Sequence, residues 1–193
     1  PGMILHLAPI DKFIPGFIDF LEANLPDFAQ HRFLIEGTDP RFSMRPRPNV
    51  VHVNTLRRRH RLPTYLRSMS QADRIVLHSL FNPTVLELLA LQPWVLGRCY
   101  WVIWGGDLYA HLAARQTLAD HRDELLRRLV IPRLGHLVSF VEGDVALARP
   151  IAPVGQRVLR HENGFLDSPR REPLDFLHVL GERSRGLVRR VRL

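Results

Sequence analysis

The stretch Arg74–Tyr109, RIVLHSLFNPTVLELLALQPWVLGRCYWVIWGGDLY, decides the fold. Arg74-Ile75-Val76-Leu77-His78 is a short, β-branched apolar run, the signature of a buried strand. Asn82-Pro83 opens a helix, because Asn caps free N–H groups and Pro at the first helical position has no N–H to leave unpaired. Val85, Leu86, Leu88, Leu89, Ala90 and Leu91 leave almost no polar side, so this helix is expected to be buried on several sides, and Gln92-Pro93 ends it. Cys99 to Trp104 reads as a second buried strand, broken off by Gly105-Gly106-Asp107. The unit is strand–helix–strand, with polar residues gathered where each strand ends. In an open parallel sheet, ligands bind at that edge.

Working outward, the same alternation fills the chain. Met3 to Leu7 reads as a strand, and Pro9 to Pro15 as a loop carrying Asp11 and Lys12. Phe17, Ile18, Leu21 and Leu25 recur at helical spacing. Arg32 to Ile35 is a second strand, and Gly37 to Pro48, with two Arg-Pro pairs, an extended loop. Asn49 to Val53 is a third strand, after which the run RRRHRLP (Arg57–Pro63) precedes a short helix to about Ala72. Beyond the central unit, Asp120 to Leu134 reads as a helix with Leu125, Leu126, Leu129 and Val130 inward. His136 to Val141 is a strand, Glu142-Gly143-Asp144 opens a further helix, and Arg157 to Leu159 is a last strand. No internal repeat is visible. The alternation predicts an α/β fold, a doubly wound, Rossmann-like parallel sheet with helices on both faces.

Composition narrows the classes. The 193 residues suffice for one domain and a fragment of a second. No apolar run approaches the roughly 20 residues a membrane-spanning helix needs. The apolar start PGMILHLAPI has neither a basic flank nor a small-residue cleavage site and reads as a strand. Cys99 is the only cysteine, which excludes an internal disulfide and suits a reducing compartment. The net charge of +8 rests on arginine, Lys12 being the single lysine, and draws the protein to phosphates or anionic surfaces. No zinc-ligand spacing, helix-turn-helix pattern or basic-plus-aromatic RNA signature accompanies that charge, so nucleic acid is not the expected partner. Neither a G-x-G-x-x-G, a G-x-S-x-G nor a D-x-D motif is present, and neither a metal nor a cofactor is expected.

HSLFNPT (His78–Thr84) and WVIWGGDLY (Trp101–Tyr109) together resemble the paired motifs of glycosyltransferase family 56, the TDP-N-acetylfucosamine:lipid II N-acetylfucosaminyltransferases of enterobacterial common antigen synthesis. A weaker likeness runs from Met3-Ile4-Leu5-His6 through Val141-Glu142-Gly143-Asp144 to about Glu162. The resemblance implies a two-domain GT-B enzyme that moves N-acetylfucosamine from a TDP donor to a polyprenyl-pyrophosphate-linked glycan at the cytoplasmic face of the bacterial inner membrane. Residues 1–165 then form the acceptor-side domain, and residues 166–193 a linker and the truncated start of a donor-side domain. That division predicts that the chain does not catalyse transfer alone. The competing reading is a non-catalytic α/β domain that binds an anionic glycan or a membrane surface.

The candidate residues follow from strand ends and from the matched motifs. His78 can touch an acceptor hydroxyl or a donor phosphate, and Asp107 and Glu142 are carboxylates placed to act in catalysis. Each also has a plain structural reading, as a strand-end histidine bonded to backbone or as a helix cap. His6, Asn82, Gly105, Gly106 and Asp144 are the expected substrate-binding set, with Trp104 and Tyr109 available to stack on a sugar. Arg57, Arg58, Arg59 and Arg61 are either a solvated face or an anionic-lipid patch, with Leu56, Leu62 and Tyr65 supplying apolar contact. One cleft at the carboxyl edge is expected to collect His78, Asp107 and Glu142.

Overall fold

The protein is described here from a computed structural model that defines residues 2–109, 117–139, 144, 148 and 157–160. Its strands are β1 (Ile4–Pro9), β2 (His31–Glu36), β3 (Val50–His52), β4 (Arg74–His78), β5 (Cys99–Val102), β6 (His136–Ser139) and β7 (Arg157–Arg160). They form one sheet in the order β3-β2-β1-β4-β5-β6-β7, and every neighbouring pair is parallel. The order reverses between β1 and β4. This is the doubly wound arrangement, and its crevice opens beyond the carboxyl ends of those two strands. The proposed second segment, residues 166–193, lies outside the described residues.

Two apolar layers sandwich the sheet. Helix α1 (Ile14–Asn24) lays Ile14, Ile18 and Leu21 on one face, over Ala8, Phe33 and Ile35. The opposite face carries Leu5, Leu7, Leu34, Ile75, Leu77, Cys99, Trp101 and Leu137. Helices α2 (Arg58–Gln71), α3 (Pro83–Leu91) and α5 (Leu118–Val130) cover it with Tyr65, Met69, Leu86, Leu89 and Val130. Helices thus lie on both faces, as the alternation required. At the start of α3, the Asn82 carboxamide oxygen accepts from the N–H groups of Thr84 and Val85, and Pro83 follows as read from the sequence. α5 begins with a reciprocal capping box between Thr117 and Asp120.

The structure corrects three local readings. The Arg57–Pro63 run does not precede α2 but builds its first turns, with Pro63 carried inside the helix. Packing of Tyr65, Ser68 and Met69, spaced three and four apart, outweighs the proline. The second correction is to α5, where Leu126 and Val130 face the core while Leu125 is 59% and Leu129 43% exposed. Third, β5 ends at Val102, so Ile103 and Trp104 belong to the turn rather than the strand. The long loop 37–49 is tied down by Arg47, whose nearly buried guanidinium pairs with Asp19 and Glu22 of α1.

Candidate active site

Three features converge at the carboxyl edge, where β4 ends. His78 is the last residue of β4 and is buried. Ser79 follows with φ of 84°, a left-handed conformation unusual for a residue with a Cβ. Backbone strain of this kind gathers at functional sites, where the surroundings over-determine it. Here they are identifiable: Ser79 N–H donates to the Val102 carbonyl at 3.3 Å, and Arg127 Nη2 donates to the Leu80 carbonyl at 3.3 Å.

The strongest brace on this turn is Asp107, in the short helix α4 (Gly106–Tyr109). Its carboxylate is 2% exposed and accepts from four N–H groups. Oδ2 takes Trp101 Nε1 at 2.7 Å and the Leu80 amide at 3.2 Å, while Oδ1 takes the Trp104 and Leu108 amides at 3.1 Å each. A carboxylate so engaged holds the β4–α3 turn against the β5–α4 turn, and this scaffolding extends the cap expected of Asp107. Gly105 adopts φ of +75°, and a Cβ on Gly106 would sit 3.1 Å from Phe81 Cζ, so both glycines let the turns close.

The rim of this edge is aromatic. Trp104 is 36% exposed, with Phe13 against it at a ring-centroid separation of 5.1 Å, and Phe81 and Tyr109 are each about half exposed. Lys12 Nζ lies 4.7 Å from the centre of the Phe13 ring. Exposed aromatic faces beside a strand-end crevice suit sugar stacking or an apolar chain. Asn82 is committed to its cap and also contacts the Tyr65 hydroxyl, whose acidity is suppressed by burial and by the charge of Glu36. Tyr65 is a core residue, which removes it from the apolar set expected beside the arginine run.

Beneath α1 lies an arrangement that the residue pattern did not reveal. His31, His6 and His78, on the adjacent strands β2, β1 and β4, form a hydrogen-bonded chain of imidazoles. His6 Nδ1 is 3.0 Å from His78 Nε2, and His6 Nε2 is 2.9 Å from His31 Nδ1. All three rings are at least 97% buried, and His6 is stacked on Phe33 and meets the edge of Phe17. His6 was expected at the end of β1, but the strand continues to Pro9 and places it mid-strand and fully enclosed. Burial holds the pKa of all three below the ordinary histidine value, His78 at about 4. For His6 the neighbouring rings add to that effect, and for His31 the charge of Asp27 opposes it. Three neutral imidazoles result at neutral pH. Because His6 joins its neighbours through opposite ring nitrogens, the rings do not converge on a common point as metal ligands must.

Asp144, in helical backbone, is 8% exposed, and its pKa is raised by burial and by the charge of Asp107. Asp144 therefore lies near the Asp107 end of this edge. Glu142 and Gly143 lie outside the described residues. His78 and Asp107 flank one turn, but only Asp107 is saturated by hydrogen bonds. The arginine run stands at the amino end of α2, which follows β3. Arg57, Arg58 and Arg59 are exposed, whereas Arg61 donates to the backbone carbonyls of Leu56 and Asn54. Leu62 is 51% and Leu66 37% exposed on the same helix. No helix of the described residues is long and apolar enough to cross a membrane.

Sequence reasoning missed His31, Phe13, Phe81 and Arg127. His31 alone carried a signal: with Phe33 and Ile35 it alternates on one face of β2. Residues 10–161 match the model of one protein family, the 4-alpha-L-fucosyltransferases of glycosyl transferase group 56. The match spans both motifs that flank the braced turn.

Proposed function

Since the chain belongs to the 4-alpha-L-fucosyltransferase family of glycosyl transferase group 56, we propose that it transfers N-acetylfucosamine from TDP-N-acetylfucosamine to a polyprenyl-pyrophosphate-linked glycan. Membership makes it a glycosyltransferase by family, with a nucleotide-sugar donor and a glycan acceptor. The observation that carries the finer reading is the carboxyl edge itself, where the family's two motifs form a turn braced by Asp107 beside His78 and under an aromatic rim.

In this reading the described domain serves the acceptor. The acceptor hydroxyl attacks the anomeric carbon of the donor sugar, a new C–O bond forms, and the bond to the diphosphate breaks. The hydroxyl proton passes to His78 Nδ1, the ring nitrogen not engaged by His6. Trp104, Phe13 and Tyr109 offer ring faces to the sugar and the first prenyl units. Arg57, Arg58 and Arg59, with Leu62 and Leu66, offer a basic and apolar surface to the cytoplasmic leaflet, at about 1 kcal/mol per arginine.

The test measures acceptor binding and sugar transfer side by side, using the lipid-linked glycan in detergent micelles and TDP-N-acetylfucosamine. The expected result is acceptor binding that survives His78→Gln and transfer that does not, and transfer by the wild type would overturn the expectation that the chain does not catalyse alone. Transfer by the variant at the wild-type rate would remove His78 from the chemistry. Acceptor binding without any transfer by the wild type would reduce the protein to a binding domain.

A further inference from the structure

We propose that His78, His6 and His31 form a proton relay that carries the acceptor's hydroxyl proton through the sheet to its opposite edge, with His6 and His31 acting through His78. The inference rests on the function proposed above and adds a route for the acceptor's proton. Its basis is geometric. His78 is the last residue of β4, at the carboxyl edge, and His31 is the first residue of β2, at the amino edge. His6 lies between them on β1, within hydrogen-bonding distance of both. The β1 register pairs Ile4 with both His31 and Arg74, which sets the three rings on a diagonal across one face. At the far end His31 lines an open pocket of about 370 Å³ together with Gln30, Arg32 and Asn49.

Such a chain has two self-consistent arrangements when all rings are neutral. In one, His78 Nε2–H donates to His6 Nδ1 and His6 Nε2–H donates to His31 Nδ1, leaving the proton of His31 on Nε2. In the other, every bond is reversed. A proton entering at His78 Nδ1 converts the first into the second: His78 gives its Nε2 proton to His6, His6 gives its own to His31, and His31 releases its Nε2 proton to water in the pocket. One proton enters, one leaves, and no ring stays charged. After product release the reverse shift, from the pocket to water at the carboxyl edge, restores the first arrangement.

This solves a physical difficulty. If His78 alone kept the proton, it would hold a charge while buried against the edge of Phe17, and burial strongly disfavours that. Passing the proton on removes the charge. Among the described residues, the charged group that bears on the chain electrostatically is Asp27, near His31 at the exit, where its charge favours the arriving proton. No such charge is resolved at His78 among the described residues, so the asymmetry draws the proton toward His31.

Two measurements on the whole protein test the relay. The first is 15N spectroscopy of histidine-labelled protein at pH 7. His31→Phe is expected to change the tautomer ratio of His78, two strands away, and an unchanged ratio would overturn the coupling. The second is the transfer assay. His31→Ala is expected to lower kcat roughly ten- to a hundredfold with both KM values unchanged. Added imidazoles should restore the rate in order of their basicity. His31→Asn, which keeps a hydrogen bond to His6 but passes no proton, should show the same loss with an unaltered melting temperature. Rescue that follows the size of the imidazole rather than its basicity, or wild-type kcat in His31→Asn, would reduce His31 to packing. An inactive wild type would sink the proposed function, whereas an active wild type with unaffected His31 variants would sink the relay alone.

Discussion

Asp107 and His78 flank the same turn, are buried to the same degree, and do opposite things. The Asp107 carboxylate only accepts, its lone pairs filled by four donors, so its neighbours are fixed by it. His78 belongs to a chain in which every nitrogen can donate or accept, so the bonds persist while the protons exchange roles. A buried polar group becomes scaffold when its partners are one-sided. It becomes a conduit when they are ambivalent. The catalytic carboxylate expected at Asp107 is thereby better described as the brace that holds the turn beside the histidine.

The comparison can be broken most forcefully at the brace. Asp107→Ala leaves the Trp101 indole N–H and three backbone amides without an acceptor and is expected to destabilise the fold by about 3–5 kcal/mol, read by denaturant unfolding at pH 7. A loss below about 1 kcal/mol would show that the two turns hold without it.

Acid should break the other member. A histidine whose folded pKa lies below its unfolded value contributes fully while both states are neutral and loses that contribution as the unfolded chain binds protons first. For His78 the window runs from the ordinary value of 6.5 down to about 4, worth about 3 kcal/mol across it, with His6 and His31 shifted in the same direction. Unfolding free energy should therefore fall as pH drops from 7 to 4. A flat profile would contradict the burial of neutral rings.

A sharper version isolates the chain. His6→Phe removes the middle ring and leaves His78 Nε2 and His31 Nδ1 unpaired, at a cost of about 1–3 kcal/mol at pH 7. The same variant should lose less than wild type on acidification, because one depressed titration is gone. The smallest effect belongs to the secondary brace: Arg127→Met removes one hydrogen bond to the Leu80 carbonyl and should cost about 1 kcal/mol with no change in the acid profile.

Much of this was legible in the residues. The strands announce themselves as short apolar runs such as RIVLH and HLVS, and Asn82-Pro83 marks its helix through a cap that the structure reproduces. Other features could not be read. The apolar pairs Leu125-Leu126 and Leu129-Val130 allow either of two adjacent helix stripes to face inward, and only packing against α3 selects one. Arg57 to Pro63 shows no apolar period, so its helicity depends on Tyr65 and Met69 being gripped by the core. The imidazole chain was hidden for a different reason. His6, His31 and His78 are 25 and 72 positions apart in their bonded pairs, and only strand order and register bring them together. Asp107 was found by its motif, but the sequence does not count its donors.

Cys99 offers a practical opening. It is the only thiol in the chain, fully enclosed in the sheet, with its pKa pushed up to about 12 by burial. Almost none of it is thiolate at neutral pH, so alkylating reagents should pass it by. The native protein is thus a blank background for site-specific labelling. A cysteine introduced at exposed Arg59 or Tyr109 would be the one reactive thiol, and a fluorophore there could report on membrane approach or acceptor entry without any native residue having to be removed to silence the background.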